Sequence, residues 1–357
     1  MKSSVLIAMS GGVDSSVTAC LLKEQGFDCH GATMKLFDTE TNSAQAGKIC
    51  CTLTNVEDSR SVAHQLGIPF HVFDFTDDFR NNVIERFVKT YQSARTPNPC
   101  IICNRFVKFG RFLRRCEELE LDFMATGHYA RIRYDSISKR YLLQKATDVE
   151  KDQSYVLYAL TQHQLAKTLF PLGHYQKQEV REIAKQNGLT NAGKKESQDI
   201  CFAPDGNYAA FIERYSGRSL PDGNFIDQNG RVLGRHRGLI HYTIGQRKGL
   251  GIADATPYYV CSFDVAANAV VLGKEEHVYS QVLEANDINL IVTDQIEKPI
   301  RVTAKVRYRQ REEPATVEQT ETDRLRIVFD NPQKAVAPGQ AVVFYEGDIV
   351  VGGGTIM

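Results

Sequence analysis

The first half of the chain alternates between apolar runs of strand length and amphipathic stretches of helix length. Residues 5–9 form an unbroken apolar run, which is typical of a strand buried on both faces, and a Ser-Gly-Gly turn ends it. Further strands are predicted at residues 29–37, 68–75 and 123–126. Strands that alternate with helices of about 10–15 residues predict an α/β domain with a doubly wound parallel sheet, whose ligands bind beyond the carboxyl ends of the strands.

The stretches between these strands have the period and the termini of helices. The predicted helices cover residues 55–67, 77–91, 104–119 and 151–188. Asn55 and Asn104 are expected to cap the helices that they begin. Gly188 is expected to follow the last turn of the fourth helix, where a left-handed backbone is common.

The character of the sequence changes near residue 204, and this change predicts three domains. Gly, Asn and Asp separate short segments after this point, and from residue 276 onward apolar and polar positions alternate between turn signals. We expect an ATP-binding catalytic domain over residues 1–204, a small central domain over residues 205–275, and a C-terminal β-barrel over residues 276–357.

The composition indicates a globular protein with no overall attraction to nucleic acid. Lys and Arg together number 43, as do Asp and Glu, so any contact with nucleic acid must come from local patches. No apolar run is long enough to span a membrane, and the first strand begins too close to Met1 for a signal peptide to precede it. The sequence therefore predicts a cytoplasmic protein without a membrane partner.

The turn after the first strand has the pattern of a phosphate-binding loop. Its sequence, S-G-G-V-D-S-S, places two glycines before a helix, where backbone N–H groups and the helix dipole favour an oxyanion. Neither the Walker pattern nor the dinucleotide fingerprint is present. An ordinary tight turn is the alternative, but the three serines and Asp14 favour a phosphate site. The string resembles the pyrophosphatase loop of ATP-dependent adenylating enzymes, which implies ATP as substrate and Asp14 near Mg²⁺ and the phosphates.

Nine cysteines, an odd number, indicate thiol chemistry or metal binding rather than a disulfide framework. Cys100 and Cys103 lie in a polar loop with two prolines, and Cys103 is predicted at the entry to a helix, where the dipole favours the thiolate. Cys201, which has lysines nearby in the sequence, is the candidate partner thiol. The cysteines in apolar, periodic surroundings are interpreted as small buried side chains: Cys20, Cys29, Cys116 and Cys261.

The residues alone leave two chemistries open for the thiols in polar surroundings. Cys100, Cys103 and Cys201 suit a 4Fe-4S cluster with one open iron, or a zinc ion if a histidine completes the set. Alternatively, Cys103 and Cys201 react as nucleophile and sulfur carrier without a metal. The adjacent pair Cys50-Cys51 is another source of a ligand, although adjacent side chains point in different directions.

Longer blocks occur in a fixed order: T-P-N-P-C-I-I-C-N-R-F-V-K-F, A-T-G-H-Y-A-R, K-D-Q-S-Y-V-L-Y, F-P-L-G, E-S-Q-D-I-C-F and H-Y-T-I-G-Q-R-K-G-L-G. Together with the glycine loop, they resemble the tRNA-specific 2-thiouridylase family over essentially the whole chain. The resemblance implies an N-terminal domain similar to the adenine nucleotide alpha-hydrolases. It also implies ATP-dependent 2-thiolation of the wobble uridine of tRNA: the uracil 2-carbonyl is adenylated, and a cysteine persulfide then delivers sulfur, releasing AMP and pyrophosphate.

The same resemblance assigns residues to this reaction, with Cys103 as the nucleophile and Cys201 as the persulfide carrier. The implied ATP site consists of Ala8, Met9, Ser10, Gly11, Gly12, Val13, Asp14, Ser15, Met34 and Gly127. The residues implied to contact tRNA or its target base are Asn98, Pro99, Cys100, His128, Lys151, Asp152, Gln153, Arg307, Tyr308 and Gln340. Many family members have an aspartate, a proposed acid or base, at the position of Cys100. This departure makes a three-thiolate cluster more plausible here than in those members.

The implied partners are tRNAs for lysine, glutamate and glutamine, and a sulfur-donor protein such as a cysteine desulfurase or a relay protein. Residues 228–253 are one candidate tRNA surface, because they hold no acidic residue and Tyr242 lies among their basic residues. A solvated basic surface is the alternative for this stretch. Residues 301–311 carry basic side chains at alternate positions, which predicts a strand with a basic face.

Two other functions compete with tRNA thiolation. An amidotransferase of the GMP or asparagine synthetase type would use the glycine loop, but it leaves Cys103, Cys201 and the basic strand unexplained. A non-catalytic tRNA-binding or iron–sulfur scaffold protein would keep the loop without turnover. Pyrophosphate release that depends on tRNA separates the three functions.

Overall fold

The computed structural model describes residues 2–37, 53–194, 200–203 and 205–357, and of Leu53 it describes the backbone alone. The chain divides into two compact units, each assembled from separate parts of the sequence. The first unit comprises Met1–Ile84, Pro99–Asp205 and Asp348–Val351. The second comprises Glu85–Asn98, Gly206–Gly347 and Gly352–Met357. The predicted site at Cys50-Cys51 lies outside the described residues.

The first unit is built on a parallel sheet. The strands of this unit are β1 Ser4–Ala8, β2 Asp28–Lys35, β3 Phe70–Asp74, β4 Phe123–Ala125, β5 Arg131–Asp135, β6 Arg140–Gln144 and β7 Thr168–Leu169. Five of them form the sheet in the order β3-β2-β1-β4-β7, and every pairing in it is parallel. This order confirms the predicted doubly wound α/β fold, with β1 at its centre and fully buried from residue 5 to residue 8.

Helices cover the sheet and complete the core of the first unit. The helical segments of this unit are Val13–Glu24, Leu53–Gln65, Thr76–Phe79, Arg80–Ile84, Pro99–Ile102, Cys103–Phe112, Leu113–Glu118, Ser154–Leu157, Gln162–Ala166, Pro171–His174 and Lys177–Gln186. Side chains of β1 pack with Val17 of the first helix, Val62 of the second and Val180 of the last in one apolar cluster. Because β1 is buried at the centre of the sheet, the turn that follows it has a fixed position and can support a ligand site.

Three helix predictions need correction. Asn55 does not cap its helix, because the helix already includes Leu53 and the Asn55 carbonyl accepts from the Ser59 hydroxyl one turn later, at 2.9 Å. Asn104 is likewise inside a helical stretch that begins at Pro99, and its side-chain amide donates to the Val156 carbonyl at 2.9 Å. The predicted helix over residues 151–188 is wrong as one element. It consists of four helical segments and the edge strand β7.

A prediction at the end of the last segment is confirmed. The Lys177–Gln186 helix ends before Gly188, whose φ of +60° is left-handed, and the Leu189 N–H bonds back to the Ala184 carbonyl at 3.0 Å.

The hairpin β5–β6 was not predicted, and a short segment from far along the chain extends it. Ile349 pairs with Gln144 of β6. The Asp348 carboxylate accepts from the Arg131 guanidinium at 2.7 Å and from the Gln144 amide at 3.0 Å, and its carbonyl accepts from the Lys145 N–H at 2.8 Å. The first unit is therefore complete only with residues 348–351.

The second unit contains a small sheet and a closed barrel. Strands β8 Gly223–Ile226, β9 Val232–His236, β10 Tyr259–Asp264 and β11 Ala269–Gly273 form a sheet in the order β10-β11-β8-β9. The barrel strands are β12 Tyr279–Leu290, β13 Ile300–Lys305, β14 Glu313–Glu321, β15 Arg324–Lys334, β16 Ala341–Glu346 and β17 Ile349–Ile356, of which residues 352–356 belong to this unit. Pairing of β12 with both β15 and β17 closes the barrel, which confirms the predicted C-terminal β-barrel. The helices Glu85–Gln92 and Tyr208–Ser216 also belong to this unit.

Candidate functional site

The glycine loop is closely packed against its neighbours, and its first glycine has a left-handed backbone. Gly11 has a φ of +71°, and a Cβ on it would lie 2.5 Å from the Asn55 carbonyl oxygen, so no other residue fits here without displacing the helix behind it. The Ser15 hydroxyl accepts from the Ser10 N–H and donates to the Gly12 carbonyl, both at 3.1 Å. Ser15 and Ser16 are buried and brace the loop from within, whereas Ser10 is exposed at its surface.

The ends of three neighbouring strands bring the predicted nucleotide residues to one edge of the sheet. A Cβ on Gly127, just after β4, would lie 2.9 Å from the Asp14 carbonyl carbon and 3.0 Å from the Ser15 nitrogen. The Thr33 hydroxyl donates to the Met9 carbonyl at 2.8 Å, and Met34 follows it on β2. The loop, Met34 and Gly127 thus occupy the carboxyl ends of adjacent parallel strands, the usual ligand position of such sheets.

Asp14 is held by two residues that the sequence analysis missed. Lys177 Nζ lies 2.6 Å from Asp14 Oδ1 and 2.8 Å from Oδ2, and the Tyr129 hydroxyl donates to Oδ1 at 2.9 Å. Lys177 is buried, at 8% exposure, at the first residue of its helix. Lys177 follows Asp14 by more than 160 positions in the sequence, and no local pattern marks this contact.

A second lysine braces the loop from behind. Lys194 Nζ donates to the Gly11 carbonyl at 3.1 Å, to Asn55 Oδ1 at 2.5 Å and to Asp58 Oδ2 at 2.6 Å. The buried Asn191 amide donates to the same Gly11 carbonyl at 3.1 Å. These bonds hold the Gly11 carbonyl in place.

The three candidate thiols differ in exposure. Cys103 is buried, Cys100 is exposed and Cys201 is half-buried. Cys103 does not lie at the entry to a helix, because the helical stretch begins at Pro99 and Cys103 is one turn inside it. The stabilisation of a thiolate by the helix dipole, which falls off within the first turn, is therefore weaker for Cys103 than predicted.

Metal binding by these thiols finds no support in their arrangement. Among residues 2–37, 53–194, 200–203 and 205–357, no group of three His, Cys, Asp or Glu side chains is placed to hold a metal ion. Cys100, Cys103 and Cys201 therefore do not form an assembled cluster site.

Of the four cysteines interpreted as small buried side chains, Cys20, Cys29 and Cys116 are confirmed as buried. Burial raises the pKa of Cys20, Cys29 and Cys116 to about 11, so these thiols are protonated and inert at neutral pH. Cys261 is half-buried, and burial raises its pKa as well.

Three residues of the first unit that the resemblance implies contact tRNA also support the interior of this unit. The Gln153 side chain accepts from the Tyr129 N–H at 2.9 Å, so it positions the tyrosine that binds Asp14. His128 is buried with its Nδ1 2.7 Å from the Thr126 hydroxyl. Burial, with a smaller effect of Lys108, holds the His128 pKa well below its usual value, so the ring is neutral. Asp152 is buried too, and it accepts from the Ala146 N–H and the Ser154 hydroxyl.

The basic strand predicted at residues 301–311 is wrong. Strand β13 ends at Lys305, and the residues that follow form turns. Arg301 makes a two-pronged ion pair with Asp330, at 2.8 and 2.7 Å, which neutralises it. Lys305 is buried, with Nζ 5.4 Å from the centre of the Tyr345 ring. The apolar residues that alternate with the polar positions of β13, Val302 and Ala304, are buried.

Other residues of the second unit that were predicted to contact tRNA pack against, or hydrogen-bond to, other parts of the protein. Tyr242, which lies among the basic residues of the candidate surface at residues 228–253, is buried against Phe225, with ring centres 5.1 Å apart. Arg307 donates to the Ala335 carbonyl at 2.6 Å, and Tyr308 beside it is exposed. The Gln340 amide donates to the carbonyls of Thr96 and Pro97, both at 3.1 Å, and so holds the chain just before Asn98.

Comparison with known proteins extends over the whole chain. Residues 3–205 match the family described as tRNA methyl transferase HUP domain, residues 209–274 its PRC-barrel domain, and residues 280–356 an aminomethyltransferase beta-barrel domain. A relative from Acetivibrio thermocellus, named tRNA-specific 2-thiouridylase MnmA, is 51% identical over 99% of both chains. Its namesake from Clostridioides difficile is 47% identical over 100% of this chain and 98% of its own.

A solved structure of a 4-thiouridine synthetase–RNA complex with bound ATP is 16% identical, with a TM-score of 0.36, covering 57% of this chain and 45% of its own. In the described part of the chain, no helix is both long and apolar enough to cross a membrane. With two relatives matched at 47% and 51% identity from end to end, the chain belongs to the tRNA-specific 2-thiouridylase family.

Proposed function

We propose that this protein is a tRNA-uridine 2-sulfurtransferase, which uses ATP to replace the 2-oxygen of the wobble uridine by sulfur. The observation that carries the proposal is the end-to-end likeness to proteins named tRNA-specific 2-thiouridylase. The geometry of the glycine loop supports it, because the loop is shaped for a phosphate chain at the ligand-binding edge of the sheet.

Adenylation is the first step of the proposed reaction. The 2-carbonyl oxygen of uracil is a poor leaving group, so its attack on the α-phosphorus of ATP, with loss of pyrophosphate, converts it into a good one. The N–H groups around Gly11 and Gly12 would hold the departing pyrophosphate. Asp14 is the one carboxylate of the loop and fits a Mg²⁺ ion, which takes one or two protein carboxylates together with phosphate oxygens and water.

Sulfur transfer is the second step, and it has two balanced routes. In one, the Cys103 thiolate attacks the inner sulfur of the Cys201 persulfide and frees hydrosulfide, which displaces AMP from carbon 2. In the other, the outer sulfur of the persulfide displaces AMP first, and Cys103 then cleaves the resulting adduct. Either route ends in a Cys103–Cys201 disulfide, which a cellular thiol must reduce before the next turnover. A sulfur-donor protein would restore the persulfide.

Pyrophosphate release tests the whole proposal. We expect the protein to release pyrophosphate from ATP only when tRNA with an unmodified wobble uridine is present. Release that depends on ammonia or glutamine would instead indicate an amidotransferase, and a protein that binds tRNA without any release would be a scaffold. A methyl transferase, which two of the matched domain descriptions name, would need no ATP cleavage.

The iron–sulfur alternative is tested at Cys100. In the persulfide reaction Cys100 is neither the attacking thiol nor the sulfur carrier, so Cys100→Ser should keep substantial activity. If three thiolates held a cluster, the same change would remove one of them, and the activity and the brown chromophore of anaerobically purified protein would disappear together. We expect iron-free protein to thiolate tRNA; activity in strict proportion to bound iron would contradict this.

Two basic residues of the second unit are proposed to bind phosphates of tRNA. Lys248→Ala and Arg307→Ala should each weaken tRNA binding and lower the salt slope of binding by about one unit for each phosphate that the variant no longer binds. Arg301→Ala is the matched control, because Arg301 is already neutralised by Asp330 and should not change the slope. Binding curves over a salt series measure all three. Unchanged slopes for Lys248→Ala and Arg307→Ala would mean that neither residue touches RNA.

A further inference from the structure

We propose that Lys177 is a ligand of the nucleotide phosphates, and that Asp14 holds its ammonium group at the loop until a nucleotide binds. The proposal rests on the ATP-dependent function proposed above and deepens it. It assigns a role in nucleotide binding to a residue outside both the glycine loop and the cysteine blocks.

The burial of Lys177 calls for a strong partner at the loop. The residue is 8% exposed, and taking an ammonium group out of water is costly unless it is paired. Asp14 supplies that pairing through both carboxylate oxygens, at 2.6 and 2.8 Å. The Lys177 N–H also donates to Asp148 Oδ2 at 2.8 Å, which fixes the backbone from which the side chain reaches the loop. The positive charge is therefore anchored beside a site built for an anion.

The charge of Asp14 is unfavourable for that anion unless a cation accompanies it. Asp14 lies in the first turn of the Val13–Glu24 helix, two residues after Gly12, where it would repel phosphate oxygens. Lys177 and the Tyr129 hydroxyl offset this charge in the present state. Asp14 would hold the Mg²⁺ ion that accompanies the nucleotide. The ammonium group of Lys177 would then bond to phosphate oxygens in place of the Asp14 carboxylate.

Lys194, the other lysine that contacts the loop, has a different role. Its ammonium group is paired with Asp58 and bonded to the Gly11 carbonyl, a group that no phosphate binds. Lys194 thus braces the loop, whereas Lys177 reaches the carboxylate beside the glycines. This difference assigns the phosphate contact to Lys177.

Binding of ATP without Mg²⁺ separates this role from a merely structural one. Measured on the full chain in EDTA, Lys177→Met should bind ATP about 10- to 100-fold more weakly, the loss expected for one charged hydrogen-bonding group. Asp14→Asn should bind ATP in EDTA at least as tightly as the parent protein, because it removes the repulsion and leaves Lys177 for the phosphates. Lys185→Met, an exposed lysine of the same helix, is the control and should behave as the parent does.

The double variant Asp14→Asn/Lys177→Met shows whether weaker ATP binding results from misfolding. It removes both members of the ion pair, so neither charge is left without its partner. It should fold, keep its affinity for tRNA, and bind ATP in EDTA about 10- to 100-fold more weakly than Asp14→Asn, because the two differ only in Lys177. If Lys177 only anchored Asp14, both single variants would weaken ATP binding alike, and this result would overturn the proposal. Parent-like ATP binding by Lys177→Met, or binding by the double variant as tight as that of Asp14→Asn, would overturn it too. A parent protein that binds no ATP would overturn the proposed function itself.

Discussion

Cys201→Ser and Cys103→Ser are each expected to abolish thiouridine formation without slowing tRNA-dependent pyrophosphate release. A serine hydroxyl carries no transferable sulfur and does not cleave a persulfide, so sulfur transfer stops. Adenylation uses the glycine loop and Asp14, which neither substitution touches. Mass spectrometry of the tRNA nucleosides measures thiouridine, and a coupled phosphate assay measures release.

Cys261→Ser provides the control for these two variants. Cys261 is half-buried in strand β10, and burial raises its pKa, so it has no part in the proposed reaction and its replacement should leave both readouts intact. Thiouridine formed at the parent rate by Cys103→Ser or Cys201→Ser would contradict the proposed roles. Loss of pyrophosphate release in both would show that the thiols act before sulfur transfer.

Gly127→Val is expected to lower pyrophosphate release by about 10- to 100-fold, because packing a larger side chain into a filled space costs about 1–3 kcal/mol and each 1.4 kcal/mol corresponds to a factor of about ten. The first added carbon alone would lie 2.9 Å from the Asp14 carbonyl carbon and 3.0 Å from the Ser15 nitrogen. Both atoms belong to the backbone at the start of the loop helix, so the helix and its N–H groups must shift. Pyrophosphate release and ATP affinity measure the effect.

Gly193→Val is the matched substitution at a glycine where an added Cβ meets no atom of the described residues within 4 Å. It should bind and cleave ATP as the parent protein does. The midpoint of thermal unfolding should fall for Gly127→Val and stay within a few degrees for Gly193→Val. Normal ATP affinity in Gly127→Val would show that the backbone around the loop can relax without affecting the nucleotide.

The parallel sheet and the loop could be predicted because the evidence for them is local. A five-residue apolar run followed by two glycines specifies a buried strand and a turn with positive φ, and both are present in the fold. Lys177 could not be predicted in the same way. Its partner Asp14 is far away in the sequence, and only the folded sheet brings the start of its helix to the loop.

The predictions that were wrong concern periodic stretches whose structure depends on residues far away in the sequence. The stretch 151–188 has helical periodicity, but Pro171 and the close contact of Gly173 with the Ala130 carbonyl break it into short pieces. The alternation at residues 301–311 is real only as far as Lys305, and the charge of Arg301 is cancelled by Asp330 from strand β15. The sequence around a basic residue does not show which acidic residue pairs with it when that acidic residue lies on another strand.

The dependence of the first unit on residues 348–351 has a consequence for the order of events during synthesis. A nascent chain that has emerged as far as residue 205 contains all five strands of the parallel sheet. In that chain, however, Arg131, Gln144 and the Lys145 N–H still lack their partner Asp348. The edge of β6 stays open to other strands until nearly the entire chain has been made. A ribosome-bound chain should therefore acquire protease resistance in the parallel sheet early and in the β5–β6 hairpin only at the end.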